Sequence, residues 1–263
     1  MPALIRDGVR LHFDFAAGSR PPVVLIHGFC CDHTFMAAQF AHLSARGHAV
    51  LAPDLRGHGA SDKPEQRYSF AEFGDDIAWL CAELGLERPA FVGHSMGGTI
   101  AFDLAVRFPR LPRAVALLDS ATTLSEAAHA GLAALVPVLA GPEGAAALRR
   151  MVEAAFFLPT DDRALCARIL DVMGSAPESL RVSGAEALRD YDPTPAHGRL
   201  SAPLLYIAAN EPTPRSDLAR LADLVPHLQV ARTVGSGHFC QMEVPAQVNA
   251  MLERFLDLAL AGE

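Results

Sequence analysis

Ala90-Phe91-Val92-Gly93-His94-Ser95-Met96-Gly97-Gly98-Thr99-Ile100-Ala101-Phe102 is the stretch on which the fold turns. A short apolar run of strand character enters Gly-His-Ser-Met-Gly, and a second apolar run of helical character leaves it. G-x-S-x-G at a strand-to-helix junction predicts a turn tight enough to strain the serine backbone and lift its hydroxyl away from the sheet edge. Gly93 and Gly97, two residues either side of Ser95, keep side chains out of that turn. Met96 then opens the helix, with its N–H aimed where an oxyanion would develop. The competing reading is a glycine-rich connection with an incidental serine. The strand before it and the helix after it favour the nucleophile.

Three further motifs lie outward from this stretch. His27-Gly28-Phe29 follows the strand-like Pro22-Val23-Val24-Leu25-Ile26, and Asp54-Leu55-Arg56-Gly57-His58-Gly59 follows Val50-Leu51-Ala52-Pro53. Gly235-Ser236-Gly237-His238-Phe239 stands near the end. In this order and spacing, over essentially the whole chain, the four motifs resemble the α/β-hydrolase family. The resemblance implies a mostly parallel sheet with helices on both faces.

The alternation of strand and helix patterns supports the same architecture. Residues 3–15 read as a hairpin around Asp7-Gly8, with Val9, Leu11, Phe13 and Phe15 on one covered face. Strands are expected at Val23–Ile26, His48–Ala52, Arg113–Leu118, Pro203–Ala209 and Leu228–Val234. Helices are expected from Asp32 or Thr34 to Arg46, at Ser69–Leu84, Met96–Phe108, Ser216–Leu224 and Val244–Leu260. Residues 121–199 differ: they are alanine-rich, helix-forming, interrupted by prolines and free of strand pattern. A strand-to-strand connection needs far fewer residues, so 121–199 is an insertion. Residues 1–120 and 200–263 form the core domain, and the resemblance implies that the insertion is a helical cap over the site. Leu132, Leu135, Val136, Val138, Leu139, Met151, Val152, Phe156, Phe157 and Leu158 exceed what one amphipathic face needs, so part of this surface is expected to face a pocket.

Composition narrows the class. The chain has 263 residues, 51% hydrophobic and 20% charged, which is an ordinary globular balance. A net charge of −8 and a single lysine, Lys63, argue against a nucleic-acid partner. No signal-peptide pattern opens the chain and no uncharged apolar run reaches about 18 residues, so no membrane partner is expected. Five scattered cysteines (30, 31, 81, 166 and 240) read as reduced thiols in a cytoplasmic protein. Neither C-x-x-C nor H-E-x-x-H occurs, and neither a metal nor an organic cofactor is indicated. Oligomeric state stays open, a homodimer included.

A serine hydroxyl needs a base near neutral pH. The order expected for this fold, nucleophile then acid then histidine, points to His238. His94, beside the serine, and His27 are read as structural, and Asp54, Arg56 and His58 as loop braces. The resemblance assigns the second oxyanion N–H to Phe29, beside Met96. It also places the acid after the strand Pro203–Ala209, where Glu211 is the available carboxylate, or one strand earlier, at Asp119. Asp119 is favoured because it is short and sits at a strand end beside the elbow strand. The expected activity is hydrolysis of a small carboxylic ester or lactone with an apolar part, through an acyl-enzyme. A serine at 95 excludes the aspartate nucleophile of related dehalogenases and epoxide hydrolases. C–C bond hydrolysis, cofactor-free dioxygenation and slow-turnover ligand reception on the same fold are the rivals.

Overall fold

Strands β1 (Ala3–Arg6) and β2 (Val9–Ala16) form the opening hairpin, and β3 (Arg20–Ile26) follows. A 3-10 turn at His33–Met36, capped by Asp32, leads into α1 (Ala37–Ala45). Then come β4 (His48–Pro53), α2 (Phe70–Glu83), β5 (Ala90–His94), α3 (Met96–Arg107) and β6 (Ala114–Leu118). Helices α4 (Glu126–Leu139), α5 (Gly144–Phe156), α6 (Arg163–Gly174) and α7 (Glu178–Asp190) separate β6 from β7 (Leu204–Ala208). The chain continues through α8 (Leu218–Leu224), β8 (Gln229–Arg232), α9 (Cys240–Glu243) and α10 (Pro245–Leu260). This computed structural model describes residues 2–211 and 214–260; Pro212 and Thr213 of the Glu211 loop and the final three residues of the core segment lie outside them.

The strands make one sheet in the order β1-β2-β4-β3-β5-β6-β7-β8. The β1/β2 and β2/β4 pairs are antiparallel and the others parallel. The apolar runs in the central strands reflect cover on both faces. In β3, Val24 and Ile26 pack with Phe73 and Ile77 of α2 and Ile100 of α3. Val23 and Leu25 pack with Leu43 of α1 and Leu252 and Phe255 of α10. Register puts Ile26 opposite Gly93, Gly93 opposite Leu117, and Leu117 opposite Tyr206. The loops after β3, β5, β6 and β7 therefore leave from one edge, where open α/β sheets place their sites.

Differences from the sequence reading have local causes. Phe15, near the end of β2, is 38% exposed, and His12 is buried, where its Nδ1 hydrogen-bonds Asp54 Oδ2 at 2.9 Å. The first helix begins as a 3-10 turn. The closing helix stands where expected, as α10, which starts at Pro245, a residue without an N–H; the short helix α9 just before it was not expected. Arg56 and Asp54 brace their loop as expected: Arg56 pairs with Asp76 through two hydrogen bonds of 2.6 and 2.7 Å. Asp54 accepts from His12, His33 and the Ala60 N–H. These bonds occupy both Asp54 oxygens, which accounts for the His12–Asp54–His33 cluster without a ligand. The five cysteines are free thiols. No helix among the described residues is long and apolar enough to cross a membrane.

Candidate active site

Ser95 sits between the last residue of β5 and the first of α3 with φ 52° and ψ −120°. Its neighbours leave no room: a Cβ on Gly93 would lie 2.2 Å from the Gly97 carbonyl oxygen, and one on Gly97 would lie 2.3 Å from that of Ile26. Two other non-glycine residues with positive φ follow strands on this edge, Cys30 (56°) four residues past β3 and Asp119 (42°) directly after β6. Such backbone costs about 1–3 kcal/mol per residue and persists where its surroundings enforce it. At Ser95 and Asp119 the enforcement is visible. The Ser95 N–H donates to Leu118 O at 2.9 Å and the Asp119 N–H to Ile207 O at 2.8 Å, so each turn is stitched to the next strand. Ser120 Oγ donates to Ser95 O at 2.8 Å, while Ser120 O accepts from Tyr206 and Ser216 hydroxyls at 2.8 and 2.7 Å.

The structure brings Ser95, His238 and Asp119 into one hydrogen-bonded line. His238 Nε2 lies 3.0 Å from Ser95 Oγ, and His238 Nδ1 lies 2.7 Å from Asp119 Oδ2. Asp119 Oδ1 accepts from the Ala209 N–H at 3.1 Å. Glu211 instead meets Arg215 Nη2 at 2.6 Å. His94 points away from Ser95, and its Nε2–H donates to His238 O at 2.9 Å. His27 Nδ1–H donates to Gly28 O, and its Nε2 accepts from the Leu55 N–H, as a loop brace would.

Phe29 and Met96 flank this line. Met96 is the first residue of α3, where an N–H has no intrahelical acceptor. Phe29 follows Gly28, on which a Cβ would stand 3.3 Å from Ser95 Cβ.

Electrostatics follow from burial and one arginine. Burial would push the Asp119 carboxyl up, but the hydrogen bond and charge of His238, the Ala209 N–H and Arg215 together hold it below the usual carboxylate range. Burial lowers the His238 imidazole, opposed by the bond to Asp119 and reinforced by Arg215. His94 is pushed down to about 3 by burial and by His238, and is a neutral donor. A neutral His238 that donates from Nδ1 has its Nε2 lone pair facing the Ser95 hydroxyl, the arrangement a general base requires.

Arg215 is a member of the site that the sequence reading missed. Its Nε lies 3.6 Å from Asp119 Oδ2, and its guanidinium lies 4.8 Å from the centroid of the Phe156 ring. That ring in turn lies 4.3 Å from His238. The available signal was the four-residue spacing from Glu211, with which Arg215 pairs.

A cavity of about 650 Å3 opens above Ser95 and His238. All four helices between β6 and β7 contribute to it, including Leu132 and Leu135 of α4, Met151 of α5, Met173 of α6 and Leu188 of α7. Of the apolar residues counted from sequence, Leu132, Leu135, Val138, Met151 and Phe156 line it, whereas Val136, Leu139 and Val152 are buried in the core.

A mostly parallel sheet covered on both faces, with a serine on the strand–helix turn and a histidine and carboxylate from later strand ends, defines the structural class. The model of the alpha/beta hydrolase fold matches residues 21–160, and the chain belongs to that family. An uncharacterized protein of Mycobacterium tuberculosis is 44% identical over 95 residues, 36% of this chain and 28% of its own. The match thus spans under a third of that relative's length. The 3-oxoadipate enol-lactonase 2 of Acinetobacter baylyi is 26% identical over 251 residues, 92% of each chain. A thermophilic esterase from Thermogutta terrifontis superposes with a TM-score of 0.85 at 25% identity, covering 98% of this chain and 97% of its own.

Proposed function

We propose that the protein is a serine hydrolase of small carboxylic esters or lactones with an apolar part. The observation that carries this is the Ser95–His238–Asp119 hydrogen-bonded line beneath a largely apolar cavity. Similarity to an esterase and an enol-lactonase over nearly the whole chain supports the same class of bond.

Ser95 Oγ attacks the carbonyl carbon as its proton passes to His238 Nε2. The Phe29 and Met96 N–H groups hold the oxyanion. The leaving alkoxide takes the proton from His238, which then draws one from water to clear the acyl-enzyme. Asp119 fixes the imidazole tautomer and stabilises the imidazolium. Residues 121–199 act as a helical cap on the core of 1–120 and 200–263 and select the substrate.

Hydrolysis of p-nitrophenyl acetate, butyrate and octanoate tests the reading. Repeated turnover is expected, and its chain-length profile sizes the cavity. Oxygen consumption without ester or lactone turnover would overturn it in favour of dioxygenation, and a single slow turnover in favour of reception.

Two further outcomes are expected. A Cβ on Gly131, which lines the cavity, meets nothing within 4 Å. Gly131→Phe should therefore fold and fill space, lowering kcat/KM for octanoate about tenfold and that for acetate less than about threefold. The second outcome concerns pH. The lowered His238 value keeps the base neutral from neutral pH down to below its ordinary value of 6.5. The acid limb of kcat/KM should thus have its midpoint below 6.5. Arg215→Gln removes a cation that opposes protonation of His238, so the midpoint should move up. A pH–rate profile on both proteins reads the shift.

A further inference from the structure

The N–H groups of Gly237, His238 and Phe239 run consecutively through the base, and each has an acceptor. Gly237 N donates to Glu243 Oε2 at 2.6 Å, and Phe239 N donates to Glu243 Oε1 at 3.1 Å. One carboxyl group at the end of α9 thus grips the chain on both sides of the histidine. The N–H of His238 itself donates to Phe156 O at 3.2 Å, at the end of α5. The same end of α5 is held by Arg215, whose Nη2 donates to Ala155 O. Beyond it Asp161, whose Oδ2 accepts from the Leu158 N–H at 2.7 Å, faces Glu243. A Cβ on Gly237 would lie 3.2 Å from Asp161 Oδ2 and 3.5 Å from Glu243 Oε1, so the two carboxyls meet over the residue that precedes His238.

We propose that Glu243 is a positioning residue for His238, and that its protonated carboxyl hydrogen-bonds Asp161, which latches segment 155–161 onto the base loop. Two carboxyls in contact cannot both ionise without repulsion. Burial, reinforced by Asp161 and opposed by the two N–H bonds, raises the Glu243 carboxyl to about 7. Around the pair, the thiols of Cys166 on α6 and Cys240 on α9 feel Glu243, both pushed up by burial and acidic neighbours, and Glu211, paired with Arg215, feels Asp161. Neither thiol supplies a counter-charge near neutrality. The sign follows from the raised value. Below about 7 the Glu243 proton joins the two side chains, and above it the charge on Glu243 opposes Asp161 beside Gly237. The oxygens of Glu243 still accept the N–H bonds in both states, so the ionised state loosens segment 155–161 before it loosens the base.

The kinetic part rests on the hydrolase reading; the spectroscopic part does not. In 1H–15N spectra the Gly237 and Phe239 amides should titrate together with a midpoint near 7. Glu243→Gln should abolish that step and keep the lower one from His238. Absence of a shared step in the wild type, or its persistence in Glu243→Gln, overturns the proposal whatever the substrate. With p-nitrophenyl butyrate, wild-type kcat/KM should decline as pH rises through the same midpoint. Asp161→Asn removes the opposing charge and gives Glu243 a donor, so the ratio of kcat/KM at about pH 8.5 to that at about pH 6.5 should rise at least about threefold. A purely structural Asp161 would leave that ratio where it is, and this outcome also overturns the proposal. Glu243→Ala should cost about 10- to 100-fold in kcat, as expected when a base is misplaced. If wild type shows no hydrolysis, the functional reading fails and the amide titration still decides the latch.

Discussion

Ser95→Ala should reduce kcat/KM for p-nitrophenyl butyrate by about 10,000-fold or more, to the level left by binding and oxyanion donors alone. The size follows from what the hydroxyl does. In the proposed mechanism it is the atom that bonds to the carbonyl carbon, and it stands 3.0 Å from His238 Nε2 with no second nucleophile assigned in its place. His94, the nearest other candidate by sequence, spends its Nε2–H on His238 O and faces away. Alanine at position 95 inherits the same φ of 52°, so the backbone strain stays and the turn retains its bonds to Leu118 and Ser120. The melting temperature should therefore change little, and circular dichroism melts check that the loss is chemical. A fluorophosphonate should label wild type once, on the peptide carrying Ser95, and leave the variant unlabelled. Retained turnover in a folded Ser95→Ala protein would remove the acyl-enzyme from the mechanism.

The elbow was legible because its signals are local. A turn that brings the Gly93 and Gly97 backbones against neighbouring carbonyls tolerates only glycine there, and the change of period on either side locates strand and helix. The central strands were legible because cover on both faces writes itself as an unbroken apolar run. The insertion was visible as a change of composition. Its inner surface was not, because α4–α7 pack on each other as well as over the cavity, and both uses ask for the same residue types. Val136 and Leu132, four positions apart on α4, read alike in sequence, yet one is buried in the core and the other lines the cavity. Charged neighbours acting across the fold were least legible. Arg215 and Phe156 come from different parts of the chain and meet the Asp119–His238 pair only through β6–β7 pairing and the path of the insertion, whereas Glu243, five residues beyond His238, grips its loop locally. The burial of His12 was hidden for a similar reason: a buried carboxylate, Asp54, recruits the histidine from a strand distant in sequence.

The identity of the acid gives the second large effect. Asp119→Asn should lower kcat about 1,000- to 10,000-fold, while Glu211→Gln should stay within about threefold of wild type. The two residues compete for one role, and their surroundings separate them. Asp119 Oδ2 is 2.7 Å from His238 Nδ1, and Oδ1 is fixed by the Ala209 N–H. An asparagine can present its NH2 to Nδ1, which stabilises the tautomer protonated on Nε2 and takes the lone pair away from Ser95. Glu211 bonds Arg215, and burial holds its carboxyl above the ordinary range, so it is the poorer partner for an imidazolium. The sign of the pH effect distinguishes a lost acid from a general loss of structure. Asp119 raises the His238 value against the pull of burial. Removing its charge lowers that value further, so the residual activity of Asp119→Asn should persist to lower pH than wild type. A reduced rate with an unmoved acid limb would count against Asp119 as the partner of the base. A collapse on Glu211→Gln with Asp119→Asn near wild type would transfer the role to the loop after β7.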